Sequence, residues 1–206
     1  MNPKVLQFID DLESTPLTVP VARRQKLEVL KDYVLNKAIA QAPINLTYIC
    51  THNSRRSHLG QVWGQVMGEY YGFTVNTFSG GTEATACNPR TIAALQRVGF
   101  SVTQNGKDNP LYSVGYDGKT KIHCFSKVYS HPDNPTDQFA AIMTCSNADK
   151  NCPVILGTEK RIPLTYVDPK AFDDTPKEED AYDERCRQIA TEMKWVFQEV
   201  KKSLDD

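Results

Sequence analysis

Apolar residues recur along this chain with two periods, one typical of helices and one typical of buried strands. Helical spacing governs the first forty residues, with apolar positions at Val5, Phe8, Ile9 and Leu12 in one stripe and at Leu27, Leu30, Val34 and Ala38 in another. Short apolar runs follow at 44–49, 73–78, 138–144 and 161–167, and they predict buried strands. We therefore expect helices first and a sheet after them.

Further helices are predicted between and after these strands. Leu59, Val62, Trp63, Val66, Met67 and Tyr70 recur at helical intervals before Gly72, and Asn88-Pro89 opens a helix that carries Ile92, Leu95 and Val98. A capping box at Thr175 and Glu178 predicts a long last helix with the stripe Tyr182, Cys186, Ile189, Met193, Val196 and Val200. Strands that alternate with helices predict an α/β fold, with a central parallel four-stranded sheet flanked by helices.

The length of 206 residues suits one domain with an appendage. We expect residues 1–43 to form an N-terminal helical extension packed on the core, and residues 44–206 to form the α/β domain. The strand and helix pattern lapses at about 104–137, where Asp117-Gly118 between two β-rich runs predicts a β-hairpin. We interpret this stretch as an insertion.

Composition narrows the functional classes. A formal net charge of -1 argues against binding to nucleic acid or to a membrane surface through bulk positive charge. No apolar run approaches the roughly 20 residues of a membrane span, and the first residues, MNPKVLQFIDDLES, lack the apolar stretch of a signal peptide. We therefore expect a soluble, cytoplasmic protein whose cysteines are thiols. The spacing of its Cys and His residues supports no zinc site, and we predict no metal and no cofactor.

Three reactive side chains follow predicted strands. Cys50 ends the first strand, Cys145 follows the third, and Asp168 follows the fourth. Ligands of open α/β sheets collect beyond the carboxyl ends of the strands, so these three positions should meet at one edge. The sequence thus predicts a site there.

The segment from Cys50 to Ser57 has the form C-x5-R-S between a strand and a helix. Backbone N–H groups in such a loop, together with the N-terminus of the helix, favour a tetrahedral oxyanion. Arg56 would bind two of its oxygens, and the same field would favour the thiolate of Cys50 as nucleophile. Ser57 would donate a hydrogen bond to that sulfur. We expect the loop residues Thr51, His52, Asn53, Ser54, Arg55 and Arg56 to bind the substrate.

This loop resembles the phosphate loop of low-molecular-weight protein tyrosine phosphatases and of the thioredoxin-coupled arsenate reductases of the same superfamily. A second block, Thr144 to Pro153 with Cys145 and Cys152, resembles the segment that carries the second and third redox cysteines of the reductases. Ser79 to Glu83, Asn88-Pro89 and Asp168-Pro169 also match. The resemblance covers about Ile44 to Pro169, and it favours an arsenate reductase.

The resemblance implies a cascade of three thiols. Cys50 would attack arsenate, Cys145 would release arsenite as a Cys50–Cys145 disulfide, and Cys152 would then form a disulfide with Cys145. Thioredoxin or a similar dithiol would reduce that last bridge, and Asp168 would protonate the leaving oxygen. Cys87 and Cys124 have no role in this scheme, and Cys186 belongs to the core.

Two loop positions and one helix position depart from the family pattern. His52 stands where glycine is usual, so we expect an altered backbone there, and its side chain is compatible with a surface role, with stacking on the substrate or with proton transfer. Arg55 replaces a frequent cysteine and adds positive charge. Asn53 matches one ligand of a potassium site known in some reductases, but Gln61 stands where the carboxylate is expected.

Two other functions remain compatible with the same residues. One is a phosphatase, in which Cys50 forms a phosphocysteine and Asp168 first protonates the leaving alcohol and then activates water. The other is a catalytically silent oxyanion or thiol sensor that uses Cys50 and Arg56 together with a partner surface.

Overall fold

The computed structural model describes residues 1–14, 19–151 and 154–205. Its helices are α1 (Pro3–Ser14), α2 (Val21–Ile39), α3 (Arg56–Tyr70), α4 (Pro89–Val98), α5 (Ser146–Asn151) and α6 (Glu178–Asp205). Its strands are β1 (Ile44–Cys50), β2 (Val75–Gly81), β3 (Ser101–Asn105), β4 (Leu111–Gly115), β5 (Lys121–Cys124), β6 (Phe139–Met143) and β7 (Thr158–Pro163). A 3₁₀ turn, Pro169–Phe172, lies between β7 and α6.

The central sheet is parallel throughout, with the strand order β2-β1-β6-β7. Helices flank it, so the predicted α/β fold with a four-stranded parallel sheet is confirmed. β1 lies between β2 and β6, with Cys50 opposite Gly81 and Ile49 opposite Met143. The carboxyl ends of these three strands therefore lie side by side.

A smaller antiparallel sheet, in the order β3-β4-β5, occupies the insertion. β4 and β5 form the hairpin predicted at Asp117-Gly118, and Gly118 has a φ of 80° there. The insertion includes β3 and so begins before residue 104. The segment that follows β5 pairs with the end of β2 at Gly81, whose N–H donates to Lys127 O (2.8 Å) and whose carbonyl accepts from the Tyr129 N–H (2.9 Å).

Two predicted strand boundaries are wrong. The run 73–78 is only partly strand, because the Phe73 N–H donates to Gly68 O (2.9 Å) and so extends the turn that ends α3. The run 161–167 is strand only as far as Pro163, since proline has no N–H with which to continue a ladder. Asp168 therefore follows an irregular segment instead of ending a strand.

The predicted start of the last helix is also displaced. Glu178 does not cap the N-terminus from within a helix that begins near Thr175. Its carboxylate accepts the Asp174 N–H (2.6 Å), and α6 begins at Glu178 itself. The apolar stripe predicted for this helix is confirmed, because all six of its residues are buried.

Two apolar clusters pack on the central sheet. The larger contains Leu46 and Tyr48 of β1 together with residues from α1, α2, α3, α4 and α6. The smaller consists of Ile49, Cys50, Phe139, Ala141, Met143, Cys145, Ala148 and Ile155. Cys50 and Cys145 thus belong to the same cluster.

The N-terminal helices contact the α/β core through buried charge. Arg23 of α2 donates from Nε and Nη2 to the carboxylate of Glu192 on α6 (2.8 and 2.7 Å), and Glu192 is only 3% exposed. The Tyr166 hydroxyl donates to the same carboxylate (2.7 Å). That residues 1–43 form an N-terminal extension packed on a domain of residues 44–206 stays a prediction. Among the described residues, no helix combines the length and apolar character needed to cross a bilayer.

Candidate active site

The loop that joins β1 to α3, residues 51–55, turns its backbone carbonyls outward. The carbonyl oxygens of residues 50–54 accept, in order, from the Thr82 N–H (3.1 Å), the Glu83 N–H (2.8 Å), the Ser126 hydroxyl (2.8 Å), His58 Nε2 (2.8 Å) and the Asn88 N–H (2.9 Å). An N–H in a trans peptide points opposite to the carbonyl, so the N–H groups face the other side of the loop. In the described chain, the N–H groups of residues 52–55 have no acceptor. This arrangement suits a tetrahedral anion.

Asn53 fixes the curvature of the loop. It adopts the left-handed conformation, with a φ of 45°, and its buried side chain makes two hydrogen bonds. Its Nδ2 donates to Ser57 Oγ (2.9 Å), and its Oδ1 accepts from the Lys127 N–H (3.0 Å). His52 does not have a positive φ. The left-handed backbone falls instead on Asn53, a residue type that tolerates it. That His52 alters the loop relative to the family stays a prediction.

The candidate nucleophile, Cys50, ends β1 and is 4% exposed. Its Sγ lies 3.1 Å from Ser57 Oγ. Because Ser57 Oγ accepts from Asn53, its own proton is available to the sulfur. Gly81 lies opposite Cys50, and a Cβ there would come within 2.2 Å of Glu83 O and 2.7 Å of Thr51 O. Only glycine fits this position beside the loop.

Arg56 and Asp168 meet at the mouth of the loop. Arg56 Nη2 donates to Asp168 Oδ2 (2.5 Å), and Nη1 donates to Tyr166 O (2.9 Å). Arg56 Nε is buried and has no acceptor among the described residues. A buried donor without an acceptor is costly, so Arg56 has a hydrogen bond to offer a ligand. The structure thus brings Asp168 to the loop although no strand ends there.

Cys145 lies against the loop, two residues beyond β6. Its Sγ is 3.3 Å from Thr51 Oγ1, and the Ala148 N–H donates to the same sulfur (3.3 Å). Thr51 Oγ1 accepts from Asn147 Nδ2 (3.1 Å), so its proton can be donated to the sulfur of Cys145. Thr51 therefore connects the two cysteines. The third predicted redox residue, Cys152, lies outside the described residues.

The other predicted loop residues have structural partners. Ser54 Oγ donates to Ala86 O (2.7 Å), while His52 is exposed and its Nε2 lies 3.6 Å from Glu83 Oε2. Arg55 Nε donates to the Tyr182 hydroxyl (2.7 Å), and its Nη2 donates to Asp173 Oδ2 (3.1 Å). The Arg55 side chain is thus occupied by protein groups.

A cavity of about 340 Å³ opens beside the loop. It is lined by His52, Ser54, Arg55, Thr85, Ala86, Cys87, Asn88, Pro89 and Lys170. None of Cys50, Arg56, Cys145 and Asp168 is among the residues that line it.

Two buried groups behind the loop escaped the sequence analysis. His58 Nε2 donates to the Asn53 carbonyl. Burial, together with the nearby charge of Lys127, lowers the pKa of His58 to about 3. His58 is therefore neutral at ordinary pH. Lys127 is 5% exposed, with Nζ 4.4 Å from the centre of the Phe125 ring, and burial lowers its pKa. A histidine next to the C-x5-R-S motif was the only available signal.

Gln61 occupies the position at which some reductases have the carboxylate ligand of a potassium site. It is 5% exposed, its Nε2 donates to Thr77 O (3.3 Å), and the Ser79 hydroxyl donates to its Oε1 (2.6 Å). The amide thus links α3 to β2 by neutral hydrogen bonds.

The remaining described cysteines are buried free thiols. Burial raises the pKa of Cys87 and raises that of Cys124 to about 12. Cys186 accepts a hydrogen bond from Trp63 Nε1 (3.2 Å) in the core. A raised pKa disfavours the thiolate, so these environments do not suit nucleophiles.

Similarity to known proteins was found in sequence and in structure. The chain is 28% identical over 129 residues to arsenate reductase 2 of Staphylococcus epidermidis, covering 59% of this chain and 76% of that protein. It is 26% identical over 145 residues to arsenate reductase 2 of Staphylococcus saprophyticus, covering 69% of this chain and 92% of that protein. No family model matches the chain.

Among solved structures, a low-molecular-weight phosphotyrosine phosphatase from Vibrio cholerae superposes with a TM-score of 0.54 and 11% identity. The match covers 79% of this chain and 99% of the phosphatase. The central sheet and its flanking helices therefore have the low-molecular-weight phosphatase fold.

Proposed function

We infer the reaction from the chain's family: it belongs to the arsenate reductases of the low-molecular-weight phosphatase superfamily, and it is an enzyme. We propose that it reduces arsenate to arsenite by a cascade of three cysteines, Cys50, Cys145 and Cys152. A dithiol such as thioredoxin then restores the reduced enzyme.

The first step is attack of the Cys50 thiolate on arsenic. Arsenate lies against the inward N–H groups of the loop, and Arg56 turns from Asp168 to the arsenate oxygens. An S–As bond forms, an As–O bond breaks, and Asp168 supplies the proton with which the oxygen leaves as water. Ser57 stabilises the thiolate by a hydrogen bond.

The second step transfers two electrons to arsenic. The Cys145 thiolate attacks the Cys50 sulfur, the S–As bond breaks, and its electron pair remains on arsenic as arsenite. Cys152 then attacks the Cys145 sulfur, which frees the Cys50 thiolate and leaves a Cys145–Cys152 disulfide. The external dithiol reduces that disulfide and is itself oxidised.

The observation that carries this proposal is the Thr51 contact. A residue adjacent to the nucleophile touches the Cys145 sulfur at 3.3 Å, and both cysteines belong to one buried cluster. A phosphatase needs no second thiol at this point, whereas a disulfide relay requires one within reach. The free thiols of the described chain also support a reducing compartment, and we propose the cytoplasm.

The test separates the two activities that one loop supports. Cys152→Ser and Cys145→Ser should abolish multiple-turnover oxidation of thioredoxin by arsenate, while hydrolysis of p-nitrophenyl phosphate stays within about threefold of the wild type. Cys50→Ser should abolish both, because it removes the thiolate that attacks the oxyanion in either reaction. Cys124→Ala is the matched control and should retain both.

Three other outcomes would contradict the proposal, and two of them would select another function. Sustained arsenate turnover by Cys152→Ser would contradict the cascade. A wild type that hydrolyses phosphate esters and never consumes reductant with arsenate would be a phosphatase that uses Cys50 and Asp168. A folded, reduced wild type with neither activity would be a sensor.

A further inference from the structure

Adjacent arginines of the loop bind opposite ends of one short turn. Arg56 binds Asp168, which precedes the 3₁₀ turn Pro169–Phe172 and caps it by accepting the Lys170 N–H (3.1 Å). Arg55 binds Asp173, which directly follows the turn. The two ends of the turn are thus fixed to consecutive residues at the junction of the candidate anion-binding loop and α3.

The contact at Asp173 is a closed triangle of side chains. Arg55 donates to the Tyr182 hydroxyl (2.7 Å) and to Asp173 Oδ2 (3.1 Å), and Tyr182 donates to Asp173 Oδ1 (2.8 Å). The side chains of Arg55 and Asp173 are 13% and 17% exposed. Charged groups shielded to this degree interact more strongly than a surface pair. We call this triangle the latch.

The two arginines respond differently to an anion in the loop. The Arg56 side chain has a buried Nε–H without an acceptor among the described residues, and its partner Asp168 competes with any oxyanion that binds there. The Arg55 guanidinium is instead committed to the latch, which involves no group that faces the anion. Binding of an oxyanion therefore weakens one attachment of the turn and leaves the other intact.

We propose that Arg55 is a positioning residue: through Tyr182 and Asp173, the latch keeps Asp168 over the loop once an oxyanion has taken the hydrogen bonds of Arg56. The 3₁₀ turn transmits this restraint because it is short and internally bonded, with the Asp173 N–H donating to Lys170 O (3.1 Å). Arg90 adds a second restraint just beyond the latch, through Asp174 (2.6 Å). The inference rests on the proposed function, in which Asp168 delivers a proton.

Hydrogen exchange in the segment 166–176 tests this proposal, with inorganic phosphate as the probe. In the wild type, saturating phosphate should change exchange in this segment by less than about threefold, since the latch remains. Tyr182→Phe keeps the ring and removes both hydroxyl bonds. Its exchange should stay within about threefold of the wild type without phosphate and rise about tenfold or more with phosphate bound. Asp173→Asn is a second variant with the same expectation.

A kinetic measurement excludes a merely structural role. Properly placed general acids contribute about 10²- to 10⁴-fold, so partial loss of placement should lower kcat/KM for arsenate about tenfold in Tyr182→Phe. The Kd for phosphate should stay within about twofold, because the anion-binding groups are unchanged. Asp183→Asn, which breaks the Arg97 pair one residue further along α6, is the control and should alter neither quantity.

Two results would overturn the proposal, and they are distinguishable. Wild-type exchange and wild-type kcat/KM in both latch variants, with phosphate binding retained, would remove the latch and leave the proposed function standing. A wild type that binds no phosphate would contradict the proposed function itself, and the latch with it.

Discussion

The loop at Cys50 and the segment at Cys145 carry the same reactive atom in opposite structural settings. Around Cys50, every carbonyl from residue 50 to 54 has a hydrogen-bond donor, and the supporting side chains Asn53, Ser57 and His58 are buried. Around Cys145, the supporting helix α5 has six residues, SNADKN, and Ala148 is its buried residue.

This difference matches the two kinds of chemistry that we propose. Stabilising an anion requires donors that are fixed before the substrate arrives, because reorganising them would cost part of the gain. Passing a disulfide requires movement, since two cysteine Cα atoms must come within roughly 4.4 to 6.8 Å. At a rise of about 1.5 Å per residue, an intact α5 holds its ends about 8 Å apart. A rigid cradle and a segment that unwinds easily are thus both needed.

The largest expected effect is the substitution of Asn53 in the loop, and the substitution of Asn147 in α5 is its comparison. Asn53→Ala leaves the buried Lys127 N–H without its acceptor, removes the hydrogen bond that Ser57 Oγ accepts, and places alanine at a positive φ. We expect the free energy of unfolding to fall by about 3 kcal/mol and phosphate binding to be lost. Asn147→Ala in α5 removes two exposed hydrogen bonds, to Thr51 Oγ1 and from Asn151 Nδ2, and should cost less than about 1 kcal/mol.

Urea unfolding and phosphate titration by calorimetry measure both variants. Equal destabilisation by the two substitutions would show that the loop is no more preorganised than α5, and the contrast between the regions would be wrong.

Acid should weaken the loop through His58. Its pKa in the folded state is about 3, below the ordinary value of 6.5, so the unfolded state takes up a proton first as the pH falls. Stability from this residue is complete above about pH 6.5 and is lost towards pH 3, by up to about 1.4 kcal/mol per pH unit. Between pH 7 and pH 5 we expect a loss of about 2 kcal/mol in the free energy of unfolding.

The control for this effect is an exposed histidine of the same loop. His52→Gln should keep the loss between pH 7 and pH 5, whereas His58→Gln should remove it, although that variant starts from a lower stability. An unchanged pH dependence in His58→Gln would show that the proton binds elsewhere.

The smallest effect concerns the attachment of α5. Arg161 of β7 bonds the Asp149 carboxylate (2.6 Å) and also the Asp149 backbone carbonyl. Arg161→Gln should lower the free energy of unfolding by less than about 1 kcal/mol and speed hydrogen exchange of residues 146–151 about fivefold. Lys160→Gln, an exposed neighbour on β7, should change neither. Exchange of 146–151 that is as slow as that of β1 in both proteins would contradict an easily unwound segment.

Sequence reasoning recovers those features that depend on local pattern. The parallel sheet follows from apolar runs between amphipathic helices, and the loop follows from Cys50, Arg56 and Ser57 at fixed spacing. The end of the fourth predicted strand was wrong because of a single proline: the apolar pattern continues past Pro163, but the ladder of hydrogen bonds cannot. The chemical roles of the site residues stay predictions.

The features that the sequence did not yield depend on partners far apart in the chain. Nothing near Arg55 indicates that its acceptors are Tyr182 and Asp173, more than a hundred residues away. Lys127 approaches Asn53 because the segment that follows β5 pairs with the end of β2. Such contacts are set by tertiary packing, which no periodicity records.

The Arg23–Glu192 pair has a consequence for anyone who removes the first two helices from this protein. A chain begun at residue 44 would keep Glu192 and lose the guanidinium that neutralises it, together with the helix that packs on α6. Breaking such a pair leaves a charge without its partner against the core. Glu192 is also linked to Arg56 through Tyr166, whose hydroxyl donates to Glu192 and whose carbonyl accepts from Arg56. Loss of function after trimming would therefore say nothing about recognition by the first two helices.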